Sequence, residues 1–462
     1  MSEHLTKDAI DLSTLSIPRL FGRYFLPTLF GMISISAMCA IDGIFVGHAV
    51  GADGIGAINI CVPIMMLATG LGLMMGAGCS VVASIHMAEK KLKAARINVM
   101  QAWIFTSIVI LAMIIPVMLF PSATGRLLGS SEALLPLVRE YMLGFMPGEL
   151  FGVWCALLLF VIRLDGNPRL AMWCNVIAAV ANIVLDWLMI VHLGWGLAGA
   201  AVASTLSMMI GGLIAAWYML FAARQLRPIH LKWSRRSLLY SVRNIGYQCT
   251  IGISALMGEG TMAVLTLVGN YVFITYMGDP GVGAFGIACY YTPFVYMIGN
   301  AVAQSAQPII SYNYGAGLMR RGWDAFAMAL GSAFACGLAV FGFTWLFSPW
   351  IVGLFLTPDA PAYAIAVRGL PLFAAGYPFF GINVVTIGYY QSIERGRLAT
   401  GLTVLRGIVL MAFCFLVLPR LAGVAGIWLA VPAAELATTL LLLVLLRLDR
   451  GMRRPIPGGI SP

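Results

Sequence analysis

The chain has 462 residues, of which 61% are hydrophobic and only 10% charged, with a mean hydropathy of +0.93. Soluble proteins carry about 25% charged residues, so a soluble globular protein is excluded and a polytopic membrane protein is expected. The net charge of +10 does not point to nucleic acid, because Lys and Arg are scattered through short loops between apolar stretches, as membrane topology requires.

The first fifteen residues are polar and lack the apolar core of a cleaved signal peptide, so 1–15 reads as a cytoplasmic tail and the first span must direct insertion. A span needs about 20 apolar residues. Twelve stretches qualify: 24–46, 57–86, 98–120, 138–162, 170–192, 198–221, 245–275, 284–312, 325–347, 369–391, 399–418 and 424–446. The expected fold is therefore all-α with 12 transmembrane helices. Six form an N-lobe (16–221), a basic cytoplasmic connector follows (222–244), and six form a C-lobe (245–446) before a cytoplasmic tail (447–462).

In the first span, Asp42 stands within A-M-C-A-I-D-G-I-F-V-G, as a functional acid or as a cap near the outer interface. In the fourth, Glu149 follows Met146-Pro-Gly. In the fifth, Asn175, Asn182 and Asp186 recur at steps of seven and four and share one helical face. A carboxylate at membrane depth costs about 2.5–3.5 kcal/mol on insertion scales and usually marks an ion or substrate path. The fifth span is thus read as part of a cation site facing a cavity, with helix pairing as the alternative. If the first and fifth spans are neighbours, Asp42 and Asp186 share that pocket. Asn182 then adds an amide oxygen and Ser204 or Thr205 of the sixth span a hydroxyl, an oxygen set suited to a hard cation.

Glu259 lies in M-G-E-G-T-M of the seventh span, and it and Glu149 either pair across helices or line a cavity for cationic substrates. The eighth span carries Asn300, Gln304, Gln307 and Ser311 on one face, preceded by Tyr290, Tyr291 and Phe294, and the tenth carries Asn383, Thr386 and Tyr390. Such aromatics and amides on a lumen face hold apolar cations, or else bond helix to helix. Glu435, after Val431-Pro-Ala-Ala, reads as structural beside a proline kink. The nine cysteines all sit in apolar spans without C-x-x-C, so neither disulfides nor a structural metal site is expected.

With both termini in the cytoplasm, 23 of the 28 Lys and Arg fall on the inner side and four outside (Arg126, Arg139, Arg368 and Arg420), while Arg406 falls within a span. The two halves also read as copies. Ser131-Glu-Ala matches Pro358-Asp-Ala, Arg169-Leu-Ala matches Arg397-Leu-Ala, and Gly196-Leu-Ala-Gly199 matches Gly423-Val-Ala-Gly426, at offsets of 227 or 228. Six spans per copy implies lobes related by a pseudo-two-fold axis along the membrane normal. At this offset Asp186 maps onto Cys414, so symmetric packing does not require the acid. No P-loop, nucleophile elbow or H-E-x-x-H is present, so no enzyme is expected and transport must draw on an ion gradient.

The chain resembles the multidrug and toxic compound extrusion (MATE) transporters, in the branch that includes MepA-type exporters. The residues carrying the likeness are P-x-x-x-G with A-I-D-G-I-F-V-G (Pro27 to Gly47), R-L-D-G-N-P (Arg163 to Pro168), N-I-V-L-D (Asn182 to Asp186), L-A-G-A-A-V-A-S (Leu197 to Ser204) and Q-S-A-Q-P-I-I-S-Y-N-Y-G-A-G (Gln304 to Gly317). The resemblance implies a cation site at Asp42, Asn182 and Asp186, with Ser204 where the family has a threonine and Thr205 beside it. It also implies that Glu259 belongs to a second-lobe site, for which 369–391 supplies no acid. The implied function is H⁺- or Na⁺-coupled antiport of cationic or amphipathic drug-like compounds across the bacterial inner membrane by alternating access. The implied protein is monomeric, works without a cofactor and binds no nucleic acid. A lipid-linked oligosaccharide flippase of the wider superfamily is the alternative.

Overall fold

A computed structural model describes residues 12, 15–229 and 234–448, so most of both predicted tails and part of the connector lie outside the described residues. The described chain is helical, without strands, and holds 11 helices long and apolar enough to cross a membrane, or 12 if one bent pair is a single span. In order these are α1 (Ile17–Ala49), α2 (Ala52–Ala88), α3 (Leu92–Leu119), the short α4 (Pro121–Leu127), α5 (Leu135–Leu164), α6 (Pro168–Asp186) and α7 (Gly196–Trp217). Then come α8 (Arg235–Gly315), α9 (Met319–Gly353), α10 (Pro361–Ala374), α11 (Tyr377–Ser392), α12 (Gly396–Val404), α13 (Met411–Trp428) and α14 (Ala430–Leu448). π-helical segments extend α6 (Trp187–His192) and α7 (Tyr218–Ala222) and join α12 to α13 (Leu405–Leu410).

Gly278 breaks α8 into two spans at a positive φ of 64°, a conformation open to glycine at little cost. The bent pair is α10 and α11, which meet at 42° within the predicted tenth span. The predicted connector ends early, because helix begins at Arg235 and the apolar span at Ser237.

The chain divides into two compact units. The first takes in 26–256. At its centre α5 packs on α7 through Gly144, Gly148 and Gly152, spaced four apart on one face. A Cβ on Gly148 would lie 2.7 Å from the Thr205 Cα, and one on Gly144 2.7 Å from the Ala201 Cβ. Between helices in lipid there is little hydrophobic drive, so such small residues let backbones approach and van der Waals contact hold them. On the other side Gly72 and Gly76 of α2 make room for Val153, Ala156 and Leu157 of α5. Asp165, just past α5, closes the far end of α7: the Tyr218 hydroxyl donates to it at 2.7 Å, and the N–H groups of Arg224, Gln225 and Leu226 donate at 2.8–2.9 Å. The head of α8 also belongs here, because Gln248 donates to Asn98 Oδ1 at 2.8 Å and Gln101 donates to Ser241 at 2.8 Å.

The second unit comprises Leu12–Phe25 and the chain from Met257 onward. Its core is aromatic. Phe273 stacks on Phe285 with ring centres 4.4 Å apart and meets Trp428 edge-on at 4.8 Å, and Gly369 leaves the space the indole fills. The chain before α1 is tied in by Arg321, whose guanidinium donates to the carbonyls of Leu15 at 2.7 Å and Leu12 at 3.3 Å. Thus the segment leading into each half, 12–25 and the helix up to Leu256, belongs to the unit built by the other half.

Gly148→Val overpacks the α5–α7 contact and should destabilise the protein by about 1–3 kcal/mol. Gly331→Ala in α9, with no atom within 4 Å of the added methyl, should be neutral or stabilising. Thermal melts in detergent compare the two, and equal melting of Gly148→Val and wild type would contradict the packing.

Candidate functional site

The first unit brings the acids together. The turn between α5 and α6 sets the register: Gly166 adopts a φ of 87°, Asn167 caps α6 by accepting from the Leu170 N–H at 3.2 Å, and Pro168 takes the first helical position. From that start Asn175, Asn182 and Asp186 fall on the buried face of α6, and Asp186 is its last residue before the helix widens into the π segment Trp187–His192. Such widenings are rare and often accompany functional sites.

Asp186 is fully buried (0% exposed) and Asn182 nearly so (1%). Asp42 of α1 lies close enough to Asp186 for their carboxyl groups to interact. Both oxygens of Asp186, Oδ1 of Asp42 and Oδ1 of Asn182 are buried without a hydrogen-bond partner of good geometry among the described residues. Neither acid makes an ion pair with Lys, Arg or His among those residues. Three oxygens of the acid pair and the Asn182 oxygen one turn earlier thus have no fixed donor, although buried polar atoms are ordinarily satisfied.

The hydroxyls of α7 have different tasks. Asn182 Nδ2 donates to Ser204 Oγ at 3.4 Å, which leaves its oxygen as the free end of the amide. Thr205 instead donates to the carbonyls of Gly144 and Phe145 at 2.7 and 3.0 Å, in the turn of α5 before Pro147. Its proton is committed to packing, so Ser204 is the hydroxyl beside the amide. Asn175, two turns before Asn182, lies against α1, where Gly31 leaves room for its amide.

Glu149 is buried at 4% exposure on α5. Between it and Asp42 stands Tyr141, itself buried and within electrostatic reach of both acids. Tyr141 was not singled out in the sequence, although it lies two helical turns before Glu149 and therefore on the same face.

The remaining candidates lie in the second unit. Glu259 is partly exposed on α8 and acts electrostatically on Tyr296. Tyr291 exchanges a hydrogen bond with Thr344 at 3.0 Å, and Asn300 donates to the Tyr296 carbonyl at 3.0 Å. The side chain of Tyr290 lies outside the described residues. Gln304 is half-buried and Gln307 buried, each with a partner. On α11, Asn383, Thr386 and Tyr390 are fully buried. Asn383 donates to Glu435, accepts from Thr439, and so has both ends of its amide engaged between helices, while Thr386 donates to the Ile382 carbonyl.

Comparison with known proteins agrees with this architecture. The sequence model of the MatE family matches twice, over residues 27–188 and 255–416, and the two matches begin 228 residues apart. The chain is 26% identical to the multidrug export protein MepA of Staphylococcus aureus, over 94% of this chain and 93% of MepA. It is 23% identical to an FAD transporter of Shewanella oneidensis, over 93% of this chain and 94% of that one. Among solved structures, an outward-facing multidrug resistance MATE family transporter of the MOP superfamily superposes with a TM-score of 0.88. It is 22% identical, and the match covers 96% of this chain and 98% of that one.

A buried, unpartnered carboxylate is a stability cost that neutralisation relieves. Asp186→Asn should therefore melt at the same temperature as wild type or higher in cation-free buffer at neutral pH, and should lose any stabilisation by added sodium or acid. A fall of several degrees would reveal a fixed partner for the carboxylate.

Proposed function

This chain belongs to the MatE family of membrane transporters, and from that premise we propose that it exports cationic or amphipathic drug-like compounds in exchange for H⁺ or Na⁺. The observation that carries the reading is the pair Asp42, half-buried, and Asp186, fully buried, close enough to interact in one unit, with three of their buried carboxylate oxygens lacking a fixed donor. A sodium ion held by their oxygens, with Asn182 and Ser204 completing the shell, would satisfy those atoms, and a proton shared between the two carboxyls would satisfy one oxygen of each.

The cation enters from outside and its arrival favours one arrangement of the protein over the other. Release inward is drawn by the membrane potential, which supplies about 2.3 kcal/mol per charge per 100 mV. Substrate is released outward in the cation-bound form and captured from the cytoplasm or inner leaflet in the cation-free form. The protein works as a monomer in the bacterial inner membrane with both termini in the cytoplasm. Its substrate class is the one named by the MepA relative, multidrug export. A lipid-linked sugar pyrophosphate, the cargo of a flippase, would ask for free basic groups at membrane depth. Arg406, which the sequence places within a span, is neutralised by Glu435, and the other buried arginine, Arg163, lies in the last turn of α5 with a partner of its own, which favours the drug reading.

Asp186→Asn should abolish gradient-driven efflux of a cationic dye from proteoliposomes while membrane insertion and yield stay normal. Dye efflux at the wild-type rate under an imposed pH or sodium gradient would refute the assignment. Thr205→Val should impair folding yield more than ion dependence, and Ser204→Ala the reverse, as read by size-exclusion profile and by the cation concentration for half-maximal efflux.

A further inference from the structure

The second unit solves the problem of a buried acid differently. Glu435 of α14 is 1% exposed, and the Arg406 Nε lies 2.9 Å from each of its carboxylate oxygens. Asn383 of α11 donates to Glu435 Oε2 at 2.7 Å and to its carbonyl at 2.8 Å, and the Thr439 hydroxyl donates to Asn383 Oδ1 at 2.9 Å. The guanidinium carbon of Arg406 sits 4.6 Å from the centre of the Phe380 ring. Arg406 lies in the π segment Leu405–Leu410 of the span that repeats the fifth, the span that carries Asp186 in the first unit. Each of these two spans widens next to or around its charged residue, with an acid in one and a base in the other.

We propose that Arg406 is a tethered cation: it takes, at Glu435, the place that an exchangeable H⁺ or Na⁺ takes at Asp42 and Asp186. Glu435 therefore stays ionised throughout the transport cycle and exchanges no ion. The inference rests on the antiport reading for the word exchangeable, but the pairing itself does not.

Three observations support it. Both oxygens of Glu435 have fixed donors, whereas both oxygens of Asp186 have none. An arginine is permanently charged, and its fork is preorganised for a carboxylate, so the charge it supplies neither leaves nor titrates. Among the described residues Glu435 makes no ion pair other than that with Arg406. On the helices packed against α14, α11 carries none, Arg368 of α10 and Arg420 of α13 are exposed, and so is Arg447 of α14 itself. Glu259 of α8 acts with Arg406 on the Tyr296 hydroxyl and makes no ion pair with it among the described residues.

The test uses the full chain purified in detergent, with ethidium as substrate, and reads two quantities. One is the number of protons or sodium ions released per ethidium bound. The other is the potentiometric titration of the protein through the neutral range. Glu435→Gln, which preserves shape, should release as many ions per ethidium as wild type. Arg406→Gln should gain about one titrating group per chain, the newly orphaned Glu435, and the double variant Arg406→Gln/Glu435→Gln should lose it again. A lower ion count in Glu435→Gln, or an Arg406→Gln titration curve that matches wild type, overturns the proposal. If Arg406→Gln does not fold, the Glu435→Gln count decides alone. If wild type releases no ion at all, the antiport reading fails, and the titration still decides whether Arg406 holds Glu435 ionised.

Discussion

A carboxylate removed from water needs a compensating positive charge or a proton, because the low-dielectric interior multiplies the cost of leaving it alone. The two units of this protein meet that demand in opposite ways. Around Glu435 the compensation is built in: a guanidinium arrives from the π segment and an amide from α11, whose Phe380 ring also faces the guanidinium. Around Asp42 and Asp186 it is left out, and the acids keep their acceptors open. A closed acid contributes fixed architecture. An open one makes the stability of its surroundings depend on what arrives from solution, which is the physical content of ion coupling.

Placing the open acids demands a rigid frame, since no fixed donor ties their carboxylates in place. The glycines at 144, 148 and 152 bring α5 and α7 to backbone contact and fix the height of Ser204 beside Asn182. The Thr205 hydroxyl reinforces the same contact by donating to the Gly144 and Phe145 carbonyls of α5. Asp165 seals the opposite end with four donors. The frame is thus polar at its ends and small-residue in its middle, with the unsatisfied groups between.

Much of this was legible in the sequence, and the reasons are physical. Spans could be read because 20-residue apolar runs have few other uses, and the duplication because charged and turn residues recur at one offset that the two family matches share. The acids stood out because a carboxylate is costly in lipid. What stayed hidden depends on orientation. Ser204 and Thr205 are chemically alike, and only the proximity of Gly148 to Thr205 commits one hydroxyl to the backbone. Asn383 reads as lumen-facing on a helical wheel, yet it turns toward α14 because Glu435 is there to accept from it. The head of α8 looks like connector by its charges, and only its bonds to Asn98 and Gln101 make it part of the first unit. The bend between α10 and α11 left no signal stronger than Gly376 and Pro378.

The exchange of leading arms carries a final consequence. Residues 12–25 complete the unit made mostly from the second half, and the helix up to Leu256 completes the unit made mostly from the first. No single cut in the polypeptide can therefore release either unit whole: a break before Arg235 strips the first of its arm, and a break after Leu256 still leaves the second without its own. Each half of the chain therefore supplies the leading segment of the unit built by the other, so neither half of the sequence holds a unit complete in itself.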